Sequence, residues 1–288
     1  MPMILVLGAN GQLGSTIVER LRRAGEAEEA PAPVALTRQE LDVTDTHALR
    51  SAIVGHHPTV IINCTAYNDV DGAEEHATDA LTVNALAVQA MARVAAEIGA
   101  TLVHYSTDFV FDGEGTTPYR EEDRARPLSV YGASKLLGEW FAADAPRHYV
   151  LRVESLFGGP AARSSFDKIM AGLMAGREVR VFSDRIVSPS YVQDVVDATL
   201  GLVARDAPSG LYHCVNTGTT TWYRAAEHIA ARLGASASLL VPVSVDEVTL
   251  RARRPRYCAL ANEKLRQAGI AMPGWEEALT RYVALRTG

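Results

Sequence analysis

Short apolar runs of strand length alternate with longer stretches of helical period through the first half of the chain. Met3–Leu7 is the first such run, and beyond it Leu13, Ile17, Val18 and Leu21 fall on one helical face. Pro33–Leu36 reads as a second strand, reached through a polar, proline-punctuated loop that begins at Gly25. Thr44 or Asp45 can cap the next helix, which runs towards Gly55. Thr59–Asn63 is a third strand, and the alanine-rich stretch Ala77–Ile98 is a long helix. Thr101–Ser106 is a fourth strand, a helix begins near Ser129 and continues through Leu136–Ala143, and His148–Val153 is a fifth strand. Continuous apolar strands between amphipathic helices predict an α/β fold with a doubly wound, parallel Rossmann-type sheet.

Beyond about Leu156 the alternation loses its regularity. Helices are expected at Phe166–Ala175, Asp194–Ala204, Trp222–Leu233 and Trp275–Leu285, broken by short strands and Pro/Gly loops. This pattern divides the chain into a Rossmann domain over residues 1–155 and a smaller C-terminal lobe over 156–288, with a strand near Gly210–Val215 able to rejoin the main sheet. Without a flexible linker, the two are expected to fold as one unit around a cleft.

Composition narrows the class. Of 288 residues, 48% are hydrophobic and 22% charged, an ordinary globular balance. A formal charge of −6, with no long basic run, argues against a nucleic-acid partner. The one basic cluster, Arg251-Ala252-Arg253-Arg254, suits a small anion better than a polymer. No stretch is read as spanning a membrane, and the chain's opening residues look like a first strand instead of an export signal. The scattered Cys64, Cys214 and Cys258 suggest reduced thiols and a cytoplasmic location, and no metal centre is expected.

The candidate chemistry begins at Gly8-Ala-Asn-Gly11-Gln12-Leu13-Gly14, between the first strand and first helix. Glycines there let backbone approach a pyrophosphate, and the helix N-terminus supplies N–H donors and a positive dipole end. At the end of the second strand, where an acidic residue would select NAD, the chain reads Thr37-Arg38. A hydroxyl and a guanidinium suit a 2′-phosphate, which favours NADPH and leaves NADH open. Asp42 could accept from the adenine amino group.

Tyr131-Gly-Ala-Ser-Lys135 places a phenol and an ammonium on one helical face. Reduction of a ketone by hydride needs a proton for the developing alkoxide, and a neighbouring cation makes tyrosine a better donor. The motif's lysine is one of only three, Lys135, Lys168 and Lys264, in a chain whose other basic positions are arginine. Ser106 or Thr107 could polarise the carbonyl from the other side. His104 and His213 read as packed core histidines, and Glu74-Glu75 and Glu121-Glu122-Asp123 as solvated faces. Phe109 and Phe111 could line the cleft or simply pack.

Together these segments resemble the extended short-chain dehydrogenase/reductases, and among them the dTDP-4-dehydrorhamnose reductases. The resemblance is carried by Gly8–Gly14, Glu40–Asp45, Asn63–Glu74, His104–Gly113 and Tyr119–Glu139, and later by Gly210–Tyr223 and Ala252–Leu265. It implies an NADPH-dependent oxidoreductase that acts on the C4 keto group of a nucleotide-linked 4-keto-6-deoxy sugar, with dTDP-4-dehydro-L-rhamnose the leading substrate. Gly8, Gly11, Gln12, Leu13, Gly14, Thr37, Arg38, Asp42, Val43, Ala66, Tyr67 and Asn68 would serve the cofactor, together with Tyr131 and Lys135. Thr107, Tyr131 and Lys135 would be catalytic. Thr107, Asp108, Tyr131 and Arg254 would meet the substrate, Arg254 at its diphosphate. A homodimer is compatible with the resemblance.

The chain also departs from the pattern. Val153-Glu154-Ser155 stands where the rhamnose-forming enzymes typically show Thr-Ser-Trp, and Arg254-Pro255-Arg256-Tyr257-Cys258 replaces an Arg-Pro-x-Asn-Ser pattern. Thr16 stands where some members carry a glutamate that helps bind magnesium at a dimer interface, so that metal is not expected. Two alternatives therefore stay open: a reductase or epimerase for another nucleotide sugar, and a non-catalytic NADP-binding regulatory subunit of the same fold.

Overall fold

The computed structural model describes residues 3–28, 32–160 and 164–287. Its centre is a six-stranded parallel sheet assembled from β1 (Ile4–Leu7), β2 (Val34–Leu36), β3 (Val60–Asn63), β4 (Thr101–Thr107), β5 (His148–Val153) and a strand from the second half of the chain, Gly210–His213. That last strand pairs with β5, and the order across the sheet is Gly210–His213, β5, β4, β3, β1, β2.

Alternation along each strand feeds two cores. Ile4, Val6, Ile62 and Val103 face α1 (Gln12–Glu28), which contributes the buried Leu13, Ile17 and Val18. Leu5, Leu7, Ile61 and Leu102 face the opposite layer, beginning with α2 (Thr46–His56), which contributes Leu49 and Ile53. Asp45 caps α2 by accepting from the N–H groups of His47 and Ala48. Helix α1 persists to Glu28, further than the loop expected from Gly25; residues 29–31 of that loop lie outside the described residues. The glutamate- and alanine-rich composition extends the helix where a polar, proline-punctuated stretch had suggested a loop.

The long helix of the opposite layer is not uniform. It comprises α3 (Ala77–Leu81), a π-helical turn (Thr82–Leu86) and α4 (Ala87–Ile98). This run of 22 residues is long and apolar enough, by those measures alone, to cross a membrane, which corrects the expectation that no stretch qualifies. Its apolar positions Val88, Met91, Ala92 and Ala95 are packed into the core against the sheet. Helix α5 (Val130–Ala142) completes the layer, its Ser129 cap accepting from Gly132 N–H while Glu74 accepts from Val130 N–H.

After β5 come β6 (Leu156–Phe157), α6 (Ser165–Met174), β7 (Val179–Phe182), β8 (Ile186–Val187), β9 (Ser190–Tyr191) and α7 (Val192–Ala204). Helix α7 packs beside α1, and β10 (Gly210–His213) is the edge strand already described. The remaining elements are β11 (Thr220–Thr221), α8 (Trp222–Leu233), β12 (Leu240–Val243), α9 (Glu263–Gln267) and α10 (Trp275–Thr287). Helices α6, α8 and α10 enclose a separate, aromatic-rich core of Phe157, Phe166, Tyr191, Trp275 and Tyr282. The short strands pair locally, β12 with β7, β11 with β8 and β6 with β9.

Candidate active site

The site lies at the carboxyl ends of β1–β5, where an open α/β sheet leaves a crevice. Between β1 and α1 the chain turns at Gly8, whose φ of +75° is in the left-handed region and whose N–H donates to Leu36 O at 2.9 Å. A Cβ on Gly14 would overlap the Gly8 carbonyl oxygen, so α1 can press against this turn only with glycine there. The resulting bare backbone at a helix N-terminus fits a pyrophosphate.

A cavity of about 610 Å³ opens over the turn. Gly8, Gly11, Arg38, Asp42 and Val43 border it on one side, and Ala66, Tyr67 and Asn68 on the other. Asp42 accepts from Thr44 N–H and hydroxyl through one oxygen, which together hold its carboxyl below the usual range. Gln12, Gly14 and Thr37 do not line this cavity. Gln12 donates to Gly158 O at 2.8 Å, and Thr37 donates through N–H and hydroxyl to Glu40, both at 2.8 Å.

A second cavity, of about 410 Å³, shares Cys64, Thr65, Ala66 and Asn68 with the first. Leu13, Thr107, Asp108, Tyr131 and Lys135 line it, so the phenol, the ammonium and the β4 hydroxyl meet in one space that shares a wall with the cavity over the glycine turn. Thr107 donates to Asp108 Oδ1 at 2.9 Å. Ser106, the other expected hydroxyl, donates to buried Glu139 at 2.5 Å and is thereby committed elsewhere.

The electrostatics differ from the sequence expectation in one respect. Burial and the Asp108 charge push the Tyr131 phenol above its ordinary value, opposed in part by Thr107. Lys135 is itself lowered to about 8 by burial, against the pull of Glu139, and its Nζ donates to Tyr105 O at 2.6 Å. The i,i+4 spacing puts the two side chains on one face, but the ammonium is drawn to the β4 backbone.

Arg254 falls outside both cavities. Its Nη2 contacts Asp71 at 2.6 Å, its Nη1 donates to Ala252 O, and it borders a different, more polar cavity of about 660 Å³. Its guanidinium carbon stands 5.7 Å from the centre of the Phe109 ring, which does line the cavity shared by Tyr131 and Lys135. Phe111 instead packs, stacked on Tyr119 at 4.0 Å between ring centroids.

Over residues 2–287 the chain matches the model of the family described as the RmlD substrate binding domain. The chain belongs to this family. A dTDP-4-dehydrorhamnose reductase of Streptomyces griseus is 37% identical over 97% of this chain and 92% of its own length. A dTDP-4-keto-6-deoxy-D-glucose reductase of Streptomyces niveus is 34% identical, with 98% and 96% covered. Among solved structures, the dTDP-4-dehydrorhamnose reductase of Bacillus anthracis in complex with NADP superposes with a TM-score of 0.92 at 31% identity, covering 99% of each chain.

Several residues to which the sequence assigned no site role organise this member of the RmlD family. Asn84, in the π turn, accepts from Tyr67 N–H at 2.8 Å and donates to Tyr67 O and to Ser134, tying the Ala66–Asn68 loop to α5. An asparagine inside an alanine-rich helix was the available signal. Glu121 is partly buried, accepts from His213 N–H and has its carboxyl raised by burial, contrary to the expected solvated face. His104 and His213 are fully buried, bonded to Asn63 and to Arg152 and Ala261 O respectively. Glu154 is 2% exposed; Oε2 accepts from Ser188 N–H at 2.6 Å, while Oε1 has no partner among the described residues. Carboxyl oxygens of Asp108 and Glu154 and the sulfur of Cys258 lie within 4.8 Å of one another. The set resembles a metal-ligand group, but the Arg185 guanidinium, donating to that sulfur at 3.4 Å, already brings a cation to it.

Proposed function

We propose that this chain is an NADPH-dependent oxidoreductase that reduces the C4 keto group of a nucleotide-linked 4-keto-6-deoxy sugar, with dTDP-4-dehydro-L-rhamnose as substrate and dTDP-L-rhamnose as product. The observation that carries this reading is the convergence of Thr107, Tyr131 and Lys135 in one cavity that adjoins, across Cys64, Thr65, Ala66 and Asn68, the cavity over the glycine turn. A Rossmann domain to about residue 155 would hold the cofactor, and the lobe that follows would hold the sugar.

The bound nicotinamide supplies the hydride. Gly8, Gly11 and the start of α1 would face the pyrophosphate, Arg38 the 2′-phosphate, and Asp42, Val43 and Ala66–Asn68 the adenosine side. Tyr131 is the proton donor: a phenol raised by burial is fully protonated at neutral pH, the form that a developing alkoxide needs. Thr107 presents a hydroxyl to the same oxygen. Lys135 carries the positive charge that steadies the phenolate left behind. Arg254, paired with Asp71 beside Phe109, would reach a diphosphate only by exchanging that partner.

The test is oxidation of NADPH and NADH with enzymatically generated dTDP-4-dehydrorhamnose, wild type beside Tyr131→Phe. Wild-type turnover that falls about 10²–10⁴-fold in the variant is the expected result. No turnover with NADPH still bound would reject the substrate. Because Lys135 is lowered to about 8, its charge is lost as pH rises through that value, and kcat/KM is expected to decline above it. A flat profile to pH 10 would remove Lys135 from the mechanism.

A second reading, a related 4-keto-6-deoxy sugar of different configuration, is favoured by Val153-Glu154-Ser155, which puts a small residue and a buried carboxyl where an aromatic side chain was expected.

A further inference from the structure

One charged wall of the catalytic cavity has no part in the chemistry described so far. Arg185, in the turn between β7 and β8, is 8% exposed yet borders the cavity together with Ser155 and Trp222. Its Nε donates to Pro255 O at 3.1 Å and its Nη2 to Cys258 Sγ at 3.4 Å. Its guanidinium carbon lies 5.9 Å from the centre of the Phe109 ring. Those contacts fix the plane of the group from behind. Among the described residues nothing accepts from Nη1, and no carboxylate closes an ion pair with it. A guanidinium carries five N–H donors in a rigid fork, and the Nη1 donors of this one are neither bonded among the described residues nor sealed from solvent. Arg185 lines the same space as Tyr131 and Thr107.

We infer that Arg185 is a specificity-determining residue, whose Nη1 donates to an uncharged oxygen on the sugar ring of the substrate. The inference deepens the sugar-nucleotide reading and rests on it. Charge balance selects an uncharged oxygen over a sugar carboxylate. Asp108 and Glu154 both lie close enough to act on Arg185. Burial, reinforced by the Asp108 charge, raises the Glu154 carboxyl well above the usual range. Burial raises Asp108 to about 6, against the pull of Arg185, so it is ionised at neutral pH. Two carboxyl groups clustered beside one guanidinium leave no surplus positive charge for an anionic sugar, while hydrogen-bonding capacity remains.

The experiment is calorimetric titration of the NADP-loaded protein with dTDP-L-rhamnose and, separately, with dTDP. Wild type is compared with Arg185→Gln and Arg185→Lys. A charged hydrogen bond to the sugar predicts that Arg185→Gln loses about 10- to 100-fold in affinity for dTDP-L-rhamnose, with dTDP affinity unchanged. Arg185→Lys, which keeps the charge but not the fork, should lie between. Unchanged sugar affinity overturns the inference, as does an equal loss for both ligands, which would mark a structural role. Should the variants fail to fold, wild type is titrated with dTDP-sugars lacking single ring hydroxyls. Loss of about tenfold or more for one of them supports the inference, and indifference to all of them overturns it. A wild type that binds dTDP-L-rhamnose no better than dTDP counts against the sugar-nucleotide reading itself, and the Arg185 assignment falls with it.

Discussion

Glu139 and Arg152 meet as a closed pair, whereas Asp108, Glu154 and Arg185 share a buried space without closing on one another. In the first cluster the guanidinium engages the carboxylate through Nε and Nη2 at 2.8 and 2.7 Å. Ser106 adds a donor, His213 approaches Nη1, and the Phe111 ring lies 4.9 Å below. That pair ties α5, which carries Tyr131 and Lys135, to β5 and β10. In the second cluster Glu154 Oε1 is buried without a partner among the described residues, nothing among them accepts from Arg185 Nη1, and Arg185 borders the cavity that Tyr131 and Lys135 line. Both clusters are removed from bulk water, so the desolvation cost is common to them. The difference lies in satisfaction. A buried charge with every direction occupied holds elements together, and one with a direction left towards a cavity is arranged for a ligand.

Three perturbations sharpen the contrast, beginning with the largest. Glu139→Leu leaves Arg152 buried and unpaired and should cost about 3–5 kcal/mol in urea unfolding; a loss below 1 kcal/mol would mean that the pair is dispensable. Converting both partners, Glu139→Leu with Arg152→Met, removes the stranded charge and should recover most of that loss. Additive losses would contradict this account of the pair. Glu154→Gln is the smallest, within about 1 kcal/mol near pH 5, since an amide oxygen can still accept from Ser188. Its signature is pH dependence. Because the Glu154 pKa is raised on folding, its stabilisation is complete below the ordinary 4.5 and is lost as pH rises through the higher folded value. Urea midpoints should therefore fall more from pH 5 to pH 9 in wild type than in Glu154→Gln. Parallel curves would show that Glu154 titrates normally.

What could be read in advance follows the range of the forces involved. Strands β1, β3 and β5, a cap at Thr44 or Asp45 and a helix start near Ser129 are local patterns, visible within a few residues of chain. The glycine turn and the Tyr131–Lys135 spacing are local too, and they converge on adjoining cavities. Glu154 was visible as a departure, but its meaning depends on Ser188, Arg185 and Cys258, which are distant in sequence. The Asn84 network was hidden because a π turn has no periodicity that stands out from an alanine-rich helix. Arg254 was legible as a cation but not as the partner of Asp71, nearly two hundred residues away.

Strand β10 ties completion of the Rossmann sheet to the progress of synthesis. When β5 has been made, its outer edge has no neighbour, and the strand that covers it follows roughly 60 residues later. At the usual pace of translation the edge waits about 3–12 s for its partner. An open, apolar strand edge is a template for pairing with other chains. Termination after residue 155 would make that exposure permanent, so such a fragment is expected to be far more prone to association than the full chain, despite carrying the whole glycine turn and the Tyr131–Lys135 helix.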